Sequence, residues 1–424
     1  MKPVNDQTLA QLARQHGTPL WVYDAATIRA RVAQLAQFDT VRFAQKANSN
    51  IHLLTLMREA GVHVDAVSLG EIERALQAGY TPAQTNGAAG VVFTCDLFDR
   101  ATLARVVEAK IEVNCGSVDM LRQLGPVSPG HRVWLRINPG FGHGHSNKTN
   151  TGGENSKHGI WHEELPEALA VIRAHGLHLV GLHMHIGSGV DYSHLETVCG
   201  TMVELVKNMG HDIEAISTGG GLSVPYRDGE QPVDTDHYFQ LWDAARKQIE
   251  THLGHPVHLE IEPGRFLVAA AGVLLTEVHA VKDTPAHRFV LVDAGFNDLV
   301  RPAFYGSRHP ISLVSTDAAS PSRALRDVVV AGPLCEAGDV FTQSREGVLA
   351  PCRLPDPQVG DLLGLHEAGA YGASMSSAYN SRPLAPEVLV DGAGHCCIRR
   401  RQTIDALLAL ETPVPAPIGN STVA

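Results

Sequence analysis

The sequence predicts an α/β protein, a (β/α)8 TIM-type barrel followed by an antiparallel β domain. Two observations carry this expectation. From about residue 24 to Arg265, eight short apolar runs alternate with segments whose apolar residues recur at helical spacing. After Arg265 the rhythm changes: β-rich runs follow one another across Pro, Gly and Asp turns without helices between them.

Taken in order, DAATIRARVAQLAQF sets Ile28, Val32 and Leu35 on one helical face. The strand candidates are VRFAQK, HVDAVS, VVFTC, IEVNCGS, RVWLRIN, LHLVGLHMHIG, IEAISTGG and VHLEIEPG. Between most of them lie amphipathic segments such as EIERALQAG, RATLARVVEA and TDHYFQLWDAARKQIETHLG. Eight β-then-α repeats within roughly 240 residues suit a barrel better than a doubly wound sheet. The barrel is expected over residues 25–265. FLVAAAGVLLTEVHAV, HRFVLVDAG, ALRDVVVAG, DLLGLHEAG and PEVLVDG then predict a β-sandwich or β-barrel-like domain over 266–415. PLWVYD, within residues 1–24, is expected to add a strand to that domain. The TPVPAPIGNSTVA stretch reads as a loose terminus, with 416–424 as a tail.

Composition narrows the function classes. Of 424 residues, 44% are hydrophobic and 19% charged, enough for a large core and unlike a disordered chain. With 34 Lys and Arg against 45 Asp and Glu, the net charge of -11 lacks the field of a nucleic-acid binder. No apolar run reaches the roughly 18 residues of a membrane span, and MKPVNDQTLAQLARQHG has no signal-peptide core. Seven scattered cysteines, of which only Cys396 and Cys397 are adjacent, argue against a disulfide framework or a Cys-type zinc site. The expectation is a soluble cytoplasmic enzyme with no membrane or nucleic-acid partner.

In a barrel of this type, reactive groups sit at the C-terminal strand ends. Lys46, then Asp65 and Ser68, Arg136 and Asn138, His183 and His185, the 219–221 glycines and the 262–265 EPGR run all fall there. Lys46 could simply reach water, or be partly desolvated at the barrel mouth and able to condense with an aldehyde. The glycine triplet could be a tight turn, or backbone N–H groups brought close to a phosphate, with Arg265 reaching the same anion or a carboxylate. Glu262 beside a pyridine ring would keep the ring nitrogen protonated. His183 and His185 invite a zinc reading, but a third ligand is hard to name; no metal is expected, and His185 is better used lying flat on an aromatic ring. In the β domain, DAGFNDLVRPAFYG, AGPLCEAGD, GAYGASMSS and YNSRP could be ordinary connections. Alternatively Arg301 and Tyr305 could bind a carboxylate, Cys335 could move a proton and Glu336 could pair with an ammonium.

Lys46 in FAQKAN, HIGS at 185–188, GGGL at 219–222, EPGR at 262–265, CE at 335–336 and GAYG at 369–372 occur in a telling order. In this order the chain resembles the alanine-racemase-like, type III pyridoxal 5'-phosphate (PLP) decarboxylases over nearly its whole length. RPAFYG, GHGHSNKTNTGGENSKHGI and GAYGASMSSAYNSRP resemble the diaminopimelate-using branch rather than the ornithine or arginine branches. Phe43 stands where many relatives have Tyr, a departure expected to change little.

The resemblance implies decarboxylation of meso-2,6-diaminopimelate to L-lysine and CO2, the last step of lysine biosynthesis. It implies that Lys46 carries PLP, that His185 stacks on its ring, and that Ser188, Gly221 and the backbone of Glu262, Pro263, Gly264 and Arg265 hold its phosphate. Glu262 would pair with the pyridine nitrogen. Arg265, Arg301 and Tyr305 would grip the distal carboxylate of the substrate and Glu336 its distal ammonium. Tyr371 would touch both cofactor and substrate, and Cys335 would be the proton donor. The resemblance further implies a head-to-tail homodimer in which Cys335 and Glu336 serve the other subunit's barrel. Four alternatives stand beside it: a sister decarboxylase acting on D-lysine or D-ornithine, an amino-acid racemase, a single-barrel PLP carrier, and a metal-dependent hydrolase centred on His183 and His185.

Overall fold

The computed structural model describes residues 2–85, 87–142, 151–185, 187, 191–227, 229–315 and 323–411, and the backbone alone of Ser193. The expected 416–424 tail and Ser188 lie outside the described residues.

Apart from the two-residue strand Ile160–Trp161, which pairs only with the end of Arg132–Asn138, the strands that build the two sheets are, in chain order, β1 (Leu20–Asp24), β2 (Thr40–Ala44), β3 (His63–Ala66), β4 (Val91–Cys95), β5 (Glu112–Cys115), β6 (Arg132–Asn138), β7 (His178–His183), β8 (Ala215–Ser217) and β9 (His258–Ile261). They continue with β10 (Gly272–Asp283), β11 (Arg288–Val292), β12 (Ile311–Leu313), β13 (Leu325–Ala331), β14 (Cys352–Pro355), β15 (Leu362–Leu365), β16 (Glu387–Asp391) and β17 (Gly394–Arg399). β2 to β9 pair in sequence, all parallel, and β9 returns to β2 with Glu260 opposite Thr40 and Ile261 opposite Val41. This is the closed eight-stranded barrel the sequence predicts, and each of the eight expected runs supplies one strand.

Polar residues at or shortly after a strand's end start the next helix. Asp24 Oδ2 accepts from Thr27 N at 2.8 Å, Asp99 Oδ1 from Thr102 N at 2.8 Å and Ser68 Oγ from Glu71 N at 3.2 Å. Ser68 is therefore a helix cap. The barrel interior below the mouth is polar as well as packed. Arg42 donates to Glu260 on the neighbouring strand, Nη2 to Oε2 at 2.9 Å, and to the carbonyl of Ala89 at 2.7 Å, with both side chains almost fully buried. Phe43, the departure from the family pattern, is wholly buried.

The second sheet runs β14-β13-β11-β10-β1-β16-β17, with β15 pairing both β10 and β12. It is largely antiparallel, but β1–β16 and β11–β13 are parallel, so the sheet is mixed. β1 brings PLWVYD into it as expected, with Leu20 opposite Leu275 on β10. All five residues of β1 are buried because the strand is covered on both faces. Trp21 and Tyr23 join the main core, while Leu20 and Val22 pack with Leu9 and Leu12 of a helix over Asp6–His16.

Two expectations for this region need correction. The run from 266 does not begin as a strand: Arg265–Val268 is a helical turn, Ala269–Ala271 a 3-10 turn, and β10 starts at Gly272. The alanines favour helix, and a Cβ on Gly272 would lie 2.2 Å from Gly369 Cα, so the chain turns to accept a second backbone. Helices are also not absent, since Arg301–Tyr305 forms a turn with proline near its start. Among the described residues no helix is long and apolar enough to cross a membrane.

Candidate active site

The barrel strand ends converge on one cleft of about 360 Å³. Of the residues expected there, Lys46, His185, Gly221, Glu262, Gly264 and Arg265 line it together, and Tyr371 joins them from the segment between β15 and β16. Lys46 sits in a 3-10 turn, Gln45–Ala47, directly after β2. Its side chain is exposed: the turn carries it off the strand, past the buried Gln45 and Ala47, the first of the two readings the sequence leaves open.

The turn holding Lys46 is tied to the β domain. Tyr371 N donates to Ala47 O at 2.8 Å, Ser374 Oγ to the same carbonyl at 3.0 Å, and Asn48 Nδ2 to Gly369 O at 3.2 Å. The GAYG glycines make this approach possible. A Cβ on Gly369 would lie 1.9 Å from Val268 O, and one on Gly372 would lie 2.4 Å from the Trp21 ring.

Gly220 N donates to His185 Nδ1 at 3.1 Å. An Nδ1 that accepts is unprotonated, and burial, followed by the charges of Arg136 and Lys46, lowers the imidazole pKa well below its ordinary value. His185 is thus a neutral ring with its proton on Nε2. Gly221 has a φ of +98°, and a Cβ there would meet Gly187 O at 2.4 Å, so the turn needs glycine on both counts.

Glu262 is buried at the end of β9, with Oε2 3.2 Å from His183 Nε2, in a geometry too bent for a full hydrogen bond. Burial opposes its ionisation, but the His183 contact, then Lys46 and His185, outweigh burial and hold the carboxyl below the usual range. Asp65, on β3, behaves oppositely. Burial first, then repulsion from Glu262, raises its pKa well above the ordinary value, so of these two carboxyls Glu262 carries the charge. His183 faces Glu262, and among the described residues no three His, Cys, Asp or Glu side chains are grouped to hold a metal. Asn138 braces the loop beyond β6, accepting from Gly140 N and Gly153 N. Pro263 O accepts from Ala44 N at 3.3 Å, which joins the EPGR run to the end of β2.

Arg301 is buried beside Arg265, and both donate to one phenol oxygen, that of Tyr226, at 3.0 and 2.7 Å. Tyr305 is half-buried nearby and acts on the charge of Arg265. Among the described residues neither arginine forms an ion pair with a carboxylate. Tyr226 and His309, which contacts Arg301 Nη1 through Nε2 at 3.0 Å, were not singled out by the sequence. The proximity of Tyr226 to GGGL was the available signal. Cys335 and Glu336 lie elsewhere, exposed on a turn fixed by Asn380 Oδ1, which accepts from Cys335 N at 2.8 Å, and by Asp339 Oδ2, which accepts from Leu334 N at 2.8 Å. They do not line the cleft of their own chain.

The residues of this cleft fit PLP. They combine an exposed lysine amine, a carboxylate held ionised, a neutral imidazole fixed by a backbone donor, and a glycine turn that side chains would fill. The pyridoxal-dependent decarboxylase, pyridoxal binding domain family matches residues 25–269. Diaminopimelate decarboxylase from Escherichia coli K12 is 66% identical over 406 residues, covering 96% of each chain. The chain belongs to the diaminopimelate decarboxylase family. The Streptomyces coelicolor diaminopimelate decarboxylase is 64% identical, covering 96% of this chain and 92% of that one. A crystal structure of a diaminopimelate decarboxylase superposes with a TM-score of 0.93 at 64% identity, covering 96% of this chain and 97% of that one. The diaminopimelate decarboxylase from M. jannaschii, in co-complex with L-lysine, superposes with a TM-score of 0.84 at 30% identity, covering 95% of this chain and 94% of that one. The chain is thus a PLP-dependent carboxy-lyase of this family.

Proposed function

We propose that the protein decarboxylates meso-2,6-diaminopimelate to L-lysine and CO2, as the last step of lysine biosynthesis. The observation that carries the substrate is the pair of buried guanidiniums, Arg265 and Arg301, meeting beside the Lys46 cleft without a carboxylate of their own among the described residues. A diacid diamine brings that carboxylate; lysine and ornithine do not, and would leave the buried donors unmatched. Names of relatives sharing about two thirds of the sequence support the same reading.

In this reading Lys46 holds the cofactor and His185 stacks on its ring. Gly221, Ser188 and the backbone of 262–265 hold the phosphate. Bound PLP supplies an electron sink for the bond that breaks. Ionised Glu262 keeps a proton on the pyridine nitrogen, and neutral His185 adds ring contact without a competing charge. Arg265, Arg301 and Tyr305 orient the distal carboxylate, and Tyr371 closes the cleft over cofactor and substrate. Cys335 delivers a proton to the former α-carbon and Glu336 receives the distal ammonium. Because both are exposed away from their own cleft, they serve the barrel of a second copy in a head-to-tail homodimer. Residues 25–265 and 266–415 are the working domains, with β1 added to the second. The free cysteines and the absence of a membrane-crossing helix among the described residues are compatible with a cytoplasmic location.

The test is purified, PLP-loaded protein with meso-diaminopimelate, D-lysine and D-ornithine, following CO2 and product. Rapid release of CO2 and L-lysine from the first substrate alone is expected. Preference for either D-amino acid would assign the sister activity, and turnover without CO2 a racemase.

A further inference from the structure

Tyr226 follows the glycine turn in the loop after β8. Its N–H donates to Glu230 Oε2 at 2.7 Å, and the same oxygen accepts from Arg227 N at 3.2 Å. The guanidinium of Arg301 lies 4.9 Å from the ring centroid and that of Arg265 at 5.8 Å, and the His309 ring meets it edge-on at 5.4 Å.

A phenol oxygen has two acceptor positions and one proton. Both acceptor positions are taken, by Arg265 Nη1 at 2.7 Å and Arg301 Nη1 at 3.0 Å. The O–H therefore points away from both guanidiniums, and among the described residues no acceptor takes it. The other partners of Arg301 are neutral as well. His309 Nδ1 lies 2.9 Å from His366 O and so carries the ring proton, which leaves Nε2 to accept from Arg301. Ser307 Oγ accepts from Nη2 at 3.3 Å. Neutral acceptors hold two like charges together without cancelling them. A carboxylate in the place of Tyr226 would cancel one of the two charges and compete with an incoming anion.

We propose that Tyr226 is a specificity-determining residue, which aligns Arg265 and Arg301 as one unit and donates its own O–H as a further hydrogen bond to the distal carboxylate of the substrate. The proposal rests on the reading of Arg265 and Arg301 as the carboxylate site. A ligand without that carboxylate gains nothing from the phenol, so Tyr226 acts on discrimination and not on the chemistry at the α-carbon.

The experiment uses PLP-loaded Tyr226→Phe, which keeps the ring and removes only the oxygen, beside Arg301→Ala. KM and kcat are measured for meso-diaminopimelate, with the inhibition constant of L-lysine, which lacks the distal carboxylate. For Tyr226→Phe, KM should rise about ten- to a hundredfold, the loss of a hydrogen bond to a charged group. The L-lysine constant should change less than about threefold, and kcat should fall far less than KM rises. A general structural role would weaken both ligands alike. An unchanged KM, or equal weakening of both ligands, while Arg301→Ala raises KM sharply, would overturn the role of Tyr226 and leave the carboxylate site standing. An unchanged KM in Arg301→Ala would overturn the carboxylate site itself and this inference with it.

Discussion

Tyr371 and Ala47, 324 positions apart in the chain, are joined by a backbone hydrogen bond of 2.8 Å from Tyr371 N to Ala47 O. Because Ala47 adjoins Lys46, the β domain fixes the turn that carries the reactive amine. A methyl group on Gly369 would strike Val268 O, so Gly369→Ala is expected to cost about 1–3 kcal/mol and to weaken PLP retention. Thermal unfolding and cofactor absorbance check this; a variant with both properties intact would mean that the close approach can relax.

Glu262 is expected to matter through its charge. Glu262→Gln keeps the shape and removes the anion, and kcat should fall about 10²–10³-fold, as for other electrostatic groups placed at a reaction centre. Single-turnover decarboxylation measures it. A variant with near-normal turnover would show that no proton on the ring nitrogen depends on this residue.

Arg42 and Glu260 form the buried ion pair beneath the site. Glu260→Ala leaves Arg42 uncompensated and should destabilise the fold by about 3–5 kcal/mol. Urea unfolding of the cofactor-free proteins separates this from effects on PLP binding, and a loss below about 1 kcal/mol would place the pair with weak surface contacts.

Burial first, then the charge of Arg301, pushes His309 down to about 3. In the unfolded chain its pKa returns to about 6.5. Between these values the unfolded state binds the extra proton, so this contribution to stability is complete above pH 6.5 or so and is lost as pH falls towards 3. Wild type should therefore lose more stability between about pH 7.5 and pH 5 than His309→Gln does. Equal losses in urea midpoint would show that His309 is not held neutral.

The barrel was legible because each of its strands is a short, largely apolar run that ends on or is soon followed by polar residues, as Thr40–Ala44 is by Gln45 and Lys46. Helix Asp6–His16 went unread although Asn5 and Gly17 bracket it, Asn5 Oδ1 accepting from Thr8 N at 2.8 Å. β12, β14 and β17 were missed because strands of three to six residues with mixed exposure lack a clear period. Lys46, His185, Glu262 and Arg265 were readable from strand ends and motif order. Tyr226 and His309 were not, because their significance lies in what they do to two arginines distant in sequence. Nor does the sequence pattern show that Tyr371 reaches Lys46 while Cys335 does not.

The most direct test of the central claim is borohydride reduction of the PLP-loaded enzyme, followed by digestion and mass spectrometry. The account predicts a pyridoxyl mass on the peptide carrying Lys46 and on no other. Active protein whose Lys46 peptide stays unmodified, or whose label sits on another lysine, would contradict it.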